Sequence, residues 1–386
     1  MKICFSFTLL VTLLCAAQTI HAQSTEASRT EATKTEATRI GGYGEISYTE
    51  PDGPIHGTLD IPRFVIFLSH QFSEQWSVKS EVEIEHVKVE PGAPSGEVAV
   101  EQVFVDYHHS NAFGMRGGLL LIPCGIINQT HEPTTFMSVA RPHIDQEVIP
   151  STWREIGLGI YGDLGELVKY QANITEGMNA AGFASTGIYE GRQEGVRSDP
   201  NSPGLSAKLD FLPVLGLRIG ASIYYQTNTA SSLIDSTNQA ITISSPLTVV
   251  AFDARYDLGN AHFRAEYALD NIGNASDLSL VRGTTIPQSV SGEYIEGSYN
   301  LMPHLWESSD VELLPFVRYE MVSRKWSDLA VLKDQTWLIA GVAVKPIDGL
   351  IVKLDYEWSK EPIVFTGGGR TGSAKGLLGF GLGYAF

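Results

Sequence analysis

The sequence predicts an all-β fold: a closed antiparallel 16-stranded transmembrane β-barrel with long extracellular loops and short periplasmic turns. Three observations predict it. The final stretch, 375–386, alternates strictly, with Leu378, Phe380, Leu382, Tyr384 and Phe386 on one face and Gly379, Gly381, Gly383 and Ala385 on the other. A strand between lipid and a lumen needs that pattern. Sixteen strand candidates can be counted, most of them 8–13 residues long, near the length a tilted strand needs to cross a bilayer. The connections between them alternate long and short, which a soluble sandwich has no physical reason to do.

Composition and targeting signals agree with this class. A formal net charge of −17 over 386 residues lacks the basic footprint of a nucleic-acid binder, so no nucleic-acid partner is expected. Hydrophobic residues make up 43% of the chain, which suits a barrel because half of each strand faces water. Residues 1–22 read as a signal peptide, with Lys2, an apolar centre from Phe5 to Ala17, and Ile20-His21-Ala22 at the cut. Cys4 and Cys15 leave with it. Cys124 is then the one cysteine of the mature chain, and neither an internal disulfide nor a cysteine zinc site is available. No apolar run long enough for a membrane helix follows residue 22. Residues 23–38 read as a flexible periplasmic leader. The repeat Thr25-Glu-Ala-Ser-Arg29, Thr30-Glu-Ala-Thr-Lys34, Thr35-Glu-Ala-Thr-Arg39 has no large apolar side chain with which to build a core. The barrel is assigned to 39–386.

In order, the predicted strands are 39–49, 60–72, 76–89, 97–109, 115–122, 154–161, 167–175, 204–210, 217–226, 247–257, 261–268, 292–301, 313–321, 334–344, 349–358 and 375–386. With the N-terminus in the periplasm, the extracellular connections are 50–59, 90–96, 123–153, 176–203, 227–246, 269–291, 322–333 and 359–374. The tight side carries turn chemistry: Gly-Asp-Leu-Gly at 162–165, Leu-Gly-Asn at 258–260 and Pro-Ile-Asp-Gly at 346–349.

Alternation also decides which face is wet. A basic side chain facing mid-bilayer lipid costs roughly 2–4 kcal/mol, so the charged faces are predicted to line the pore. Strand 76–89 sets Lys79, Glu81, Glu83 and Glu85 against Val78, Val82 and Ile84. The strands from 167 to 226 supply Lys169, Lys208, Asp210 and Arg218. Strand 247–257 sets Asp253, Arg255 and Asp257 against Phe252, Ala254 and Tyr256, and strand 261–268 sets Arg264 and Glu266 against Phe263, Ala265 and Tyr267. Arg318, Glu320, Lys353, Asp355 and Glu357 complete a wall of nearly balanced charge. Aromatic residues toward strand ends, including Tyr43, Tyr48, Phe72, Trp76, Trp153, Tyr161, Tyr225, Trp337, Trp358 and Phe386, predict girdles at the two membrane interfaces.

The longest connection, 123–153, demands a role. Pro123, Pro133, Pro142 and Pro150 stiffen it, and His131, Glu132, Arg141, His143, Asp145 and Glu147 are the candidates for a mixed electrostatic screen across the opening. The alternative is an extracellular cover or a latch over a neighbouring subunit. The spacing of His131, His143, Asp145 and Glu147 matches no metal-ligand motif, so no metal is expected. No serine–histidine arrangement has a supporting motif, and Gly367-Gly-Gly369 lacks the Gly-Lys-Ser/Thr that would make it a phosphate cradle. Neither catalytic residues nor a cofactor are expected.

Over about 40–386 the chain resembles the phosphate-selective porin O and P family. The resemblance is carried by the strand pattern, the C-terminal Phe386, and the run from Ile122-Pro-Cys-Gly-Ile-Ile-Asn128 through His131-Glu-Pro133 and Arg141-Pro142 to Ile149-Pro-Ser-Thr-Trp153-Arg-Glu-Ile-Gly157. It implies an outer-membrane channel of a Gram-negative bacterium, surrounded by lipid and lipopolysaccharide and commonly a homotrimer. The loop after the fifth strand is then expected to fold inward and narrow the lumen. Ions and small hydrophilic solutes would diffuse through passively. Acidic residues accompany nearly every basic lumen candidate here, so weak ion selectivity is expected rather than strong phosphate preference. The alternative is a structural or adhesive barrel acting through its loops.

Overall fold

The computed structural model describes residues 38–88, 96–234, 239–241, 243–326, 332–367 and 370–386. The predicted signal peptide 1–22, and all of the predicted leader except Thr38, lie outside them. Sixteen strands form one closed antiparallel ring: β1 (Thr38–Pro51), β2 (Thr58–Gln71), β3 (Trp76–Glu85), β4 (Val98–Ser110), β5 (Phe113–Leu121), β6 (Arg154–Leu164), β7 (Val168–Thr175), β8 (Gly204–Phe211), β9 (Leu217–Gln226), β10 (Leu247–Leu258), β11 (Ala261–Ile272), β12 (Ser289–Tyr299), β13 (Glu312–Lys325), β14 (Leu332–Ile347), β15 (Leu350–Gly367) and β16 (Arg370–Ala385). Each strand pairs with its neighbours in sequence, and β1 meets β16 in a ladder running from Tyr43↔Ala385 to Pro51↔Leu377. Closure leaves no strand edge with unpaired amides, which hydrocarbon would penalise by several kcal/mol per group.

All sixteen predicted strands are present; 217–226 keeps its predicted ends and the others shift. The largest difference is at 359–374, predicted as a long loop: β15 and β16 extend through most of it, pairing Ile363↔Ala374 and Phe365↔Gly372. Its glycine-rich composition reads as a loop, but a hairpin ladder needs only backbone. At the short-turn end, Gly165 and Gly259 have φ of +70° and +59° with nothing within 4 Å of an added Cβ. Their glycines answer to backbone conformation alone.

Period two sorts the side chains. Phe252 and Ile295 stand on the outer face, 57% and 69% exposed, while their chain neighbours Asp253 and Glu296 are buried inside. The predicted aromatic girdles need correcting. Tyr48, Phe72, Trp76, Tyr225, Trp358 and Phe386 are exposed, but Tyr43, Trp153 and Trp337 are buried inside the ring, and the Tyr161 hydroxyl donates to Asp106 on the inner wall. Proximity to a strand end was the wrong criterion. Tyr43 shares its parity with Glu45 and Ser47, and parity decides the face.

The packed core lies inside the ring. The connection between β5 and β6 folds inward, and Ile122, Ile126, Ile127, Ile144, Val148 and Ile149 cluster with inward wall residues Tyr224, Val249, Ala251, Tyr294 and Ile351. The small face of β16 receives this loop. A Cβ on Gly383 would come within 2.7 Å of Pro133, and one on Gly379 within 3.1 Å of Val139.

Candidate functional site

The loop is closed at its neck. Ile122 N donates to Trp153 O at 2.9 Å. Asn128 then ties both ends: its Nδ2 donates to Ile122 O at 2.7 Å and to Trp153 O at 3.0 Å, and its Oδ1 accepts from Trp153 N at 2.6 Å. Trp153 Nε1 and the Tyr224 hydroxyl both donate to Glu155 Oε1, at 2.9 and 3.0 Å. Buried polar atoms need such partners, because an unmade hydrogen bond there costs about 1–3 kcal/mol.

From the neck inward, the wall from β8 to β15 grips the loop backbone. Lys208 donates to Gly125 O and pairs with Asp253 at 3.2 Å. Glu266 accepts from Ile126 N at 3.2 Å, Glu320 from His143 N at 2.6 Å, and Asp355 from Val139 N at 2.6 Å. Arg318 lies 3.1 Å from Glu296 and 2.5 Å from Glu320, and donates to Ser138 Oγ at 2.5 Å. Lys353 donates to Ser138 O at 2.9 Å and stands 3.6 Å over the Phe136 ring. These wall residues therefore sit on the inner face beneath the loop. Lys208, Asp253, Glu266, Arg318, Glu320 and Lys353 are all buried, which corrects the expectation that they face open water: Lys208, Glu266, Glu320 and Lys353 are bonded to the loop's backbone, Arg318 to the Ser138 hydroxyl, and Asp253 is paired with Lys208.

The loop's own charges are sorted likewise. His143 stacks on Trp337 with ring centroids 3.8 Å apart and lies 3.6 Å from Glu147 and 3.3 Å from Glu357. Burial works to lower its pKa, but the two carboxylates outweigh that and push it up to about 10. Glu147 also pairs with Arg324. Asp145 is fully buried and both of its carboxylate oxygens lack a hydrogen-bond partner. His131 is buried against Glu81 and Glu101, and Glu132 keeps one buried oxygen unpartnered. Of the six candidates for a screen, Arg141 lines open space on the β1–β4 side, and Glu147 borders a second cavity beside Arg324 and Gln335.

The space beside Arg141 is a cavity of about 630 Å³ between the loop and the wall from β1 to β4. Glu45, Glu83, Glu85, Glu97 and Arg63 line it from the wall side, and Arg141, Arg192, Glu190 and Glu194 from the loops, with Arg154 at the start of β6. The wall side is mostly acidic; on the other, Glu194 pairs with Arg154 at 3.2 Å and with Arg192 at 3.4 Å. Arg63 is paired with Glu45 at 2.8 Å.

Toward the short-turn end the wall is again charged. Lys79 is exposed, and Lys169 lies 3.7 Å from Asp163. Arg218 makes a bidentate pair with Asp210 at 2.7 and 2.5 Å. Arg255 is the direct cross-strand partner of both Arg218 and Arg264, and Arg264 reaches Glu296 only at 4.0 Å. Three guanidinium groups thus stand abreast on β9, β10 and β11, with Arg255 Nε unpartnered.

Sequence reasoning missed Asn128, Arg63, Glu45 and Glu101. Glu101 had a readable signal. A bulge shifts the β3–β4 register between Glu81 and Val82, and the outward residues change parity with it, from Val98 and Val100 to Val103 and Val105.

No family model matches the chain. It is 36% identical over 295 residues to an uncharacterised protein of Aquifex aeolicus strain VF5, a match covering 73% of this chain and 65% of that protein. The chain thus spans just under two thirds of the relative's length. Among solved structures, an anion-selective porin from Comamonas acidovorans superposes with a TM-score of 0.58 at 10% identity, covering 90% of this chain and 99% of the porin. The chain shares the fold of that porin's barrel. OmpF of Salmonella typhi, solved in complex with daunomycin, gives the same TM-score of 0.58 at 14% identity, covering 90% of this chain and 97% of OmpF. The likeness extends to strand number and closure, as in the outer-membrane porins.

Proposed function

We propose that this porin barrel is a passive channel in the outer membrane of a Gram-negative bacterium, conducting ions and small hydrophilic solutes and catalysing no reaction. The observation that carries the reading is the cavity between the inward-folded loop and the β1–β4 wall. It is polar, flanked by carboxylates on one side and by Arg141 and the Arg154–Glu194–Arg192 cluster on the other, and leaves solutes a route where the loop is not gripped. Charges facing each other across a narrow opening orient a passing dipole and set which ions enter. The arginine row formed by Arg218, Arg255 and Arg264 supports a bias toward anions at the short-turn mouth, and Asp210 offsets part of it. The resemblance to the phosphate-selective porin family supports the same site without specifying phosphate.

Outside, the partners are lipid and lipopolysaccharide, together with two further copies in a homotrimer. An apolar groove across β8–β12 supports the trimer. The small Ala221, Ala254 and Ala265 lie among Phe252, Tyr267 and Ile295 there, with the Glu293 carboxylate also in its lining. Packing against another subunit would remove that carboxylate from hydrocarbon.

Purified, refolded protein in a planar bilayer tests the proposal. Discrete conducting steps, with a reversal potential under a salt gradient that moves when Arg141 is changed to Glu, are expected. A silent barrel would overturn it and favour the second reading, a structural barrel acting through its loops, which the extensive burial of wall charge beneath the loop also supports.

A further inference from the structure

The β4 bulge has a chemical consequence. It turns Glu101 into the lumen beside Glu81, and the loop delivers His131 between them. His131 Nε2 lies 3.5 Å from Glu81 Oε1 and 3.4 Å from Glu101 Oε2. The three donor atoms fall within 4.8 Å of one another, and the side chains are 2%, 0% and 3% exposed for Glu81, Glu101 and His131.

Every other polar atom of the trio is held in place. His131 Nδ1 is 3.2 Å from Asn128 O, so Nδ1 carries a proton and donates it to the carbonyl, which leaves the Nε2 lone pair turned toward the carboxylates in the neutral ring. Gln102 Nε2 donates to Glu81 Oε2 at 2.6 Å, and Thr152 Oγ1 donates to Glu101 Oε1 at 2.9 Å. The two oxygens that face Nε2 are Glu81 Oε1 and Glu101 Oε2, and the second also accepts from the Tyr43 hydroxyl at 3.4 Å. Glu81 Oε1 and His131 Nε2 are both buried without any hydrogen-bond partner.

A protonated imidazole is a poor occupant of this geometry. One N–H cannot point at two acceptors, and both distances lie well beyond the roughly 2.9–3.0 Å usual for an N–H···O bond. A metal ion fits better. Bonds of about 2.0–2.2 Å to nitrogen and carboxylate oxygen place tetrahedral ligands about 3.4 Å apart, the separation found on both imidazole edges. Charge points the same way. Two carboxylates face one imidazole, and the nearby Arg63 is engaged by Glu45, so one imidazole proton leaves negative charge uncompensated. The nitrogen ligand and low ligand number favour a zinc-class ion over calcium or magnesium, which want six or more oxygens.

We propose that Glu81, Glu101 and His131 bind a divalent transition-metal cation that fastens the inward-folded loop to the β3–β4 wall. The Asn128, Gln102 and Thr152 contacts are the outer layer that orients the ligands. The inference stands on this geometry and does not depend on whether the barrel conducts.

The test uses the full, tag-free barrel refolded in detergent, its folding verified by heat-modifiable gel mobility. After stripping with chelator, it is titrated with Co²⁺ followed by visible absorption, then with Zn²⁺ in competition. One saturable equivalent is expected, with affinity falling by about 100-fold or more in both His131→Ala and Glu101→Gln, because each loses a ligand or its charge. Glu97→Gln, in the neighbouring cavity, should leave binding unchanged. Wild-type protein that takes up no more Co²⁺ than His131→Ala, or a Glu101→Gln variant that binds with wild-type affinity, would overturn the assignment. If His131→Ala does not fold, Glu101→Gln alone decides.

Discussion

Two halves of the same wall carry similar residues and use them differently. From β8 to β15, Lys208, Glu266, Arg318, Glu320, Lys353 and Asp355 are buried and bonded to the loop, several to its backbone. From β1 to β4, Glu45, Glu83, Glu85 and Glu97 border a cavity. Charge on a lumen wall is therefore no measure of what a solute meets. From β8 to β15 it acts as a fastening; from β1 to β4, Glu81 and Glu101 hold the loop at His131, and the carboxylates around the cavity shape the field at the opening.

The sharpest way to break this division is Arg318→Ala. It strands Glu296 and Glu320 in a buried site, and removing one member of a buried ion pair typically costs about 3–5 kcal/mol. Guanidinium denaturation should show that loss, and a wild-type midpoint would mean the grip is not structural. Asn128→Ala comes next. It removes three hydrogen bonds at the neck and should cost about 1–3 kcal/mol, with new protease cleavage inside 123–153 while the strands stay protected.

Alkali offers a graded version. The His143 pKa is raised from 6.5 to about 10 in the folded protein. Its protonated contact with Glu147 and Glu357 therefore stabilises the docked loop fully below about pH 6.5 and is lost as pH rises through about 10. Protease sensitivity of the loop should increase over that window, and His143→Phe, which keeps the stack on Trp337, should flatten the profile. The smallest stability effect belongs to the cavity side. Glu85→Lys should shift the folding midpoint by no more than about 0.5 kcal/mol, yet move the reversal potential toward anions. If Glu85→Lys loosened the loop as Arg318→Ala does, the two halves would not be distinct.

Much of this architecture could be read in the residues. Period two gave the strands, and the parity of Asp253, Arg255 and Glu266 put them on the inner face. The length of 123–153 marked it as exceptional. What composition could not reveal was which wall charges the loop would occupy, because contacts such as Val139 with Asp355 span 216 residues and leave no local pattern. Tyr43 was a different kind of miss. Its neighbours Glu45 and Ser47 already placed it inside, and only its position near a strand end argued otherwise. Glu101 went unassigned because no face was read for strand 97–109, though the phase slip from Val100 to Val103 is visible in the chain.

The ring can zip up one hairpin at a time, since each strand pairs only with its immediate neighbours and with the single closing seam. The loop has no such local route. Its anchors at Glu266, Glu320 and Asp355 lie far downstream, and bringing so distant a pair together costs chain entropy before any bond rewards it. Assembly should therefore end with the insertion of 123–153 into an already standing cylinder, leaving a late intermediate whose interior is open to a protease that the finished protein shuts out. A time-resolved digestion in which 123–153 becomes protected before the strands do would reverse that order.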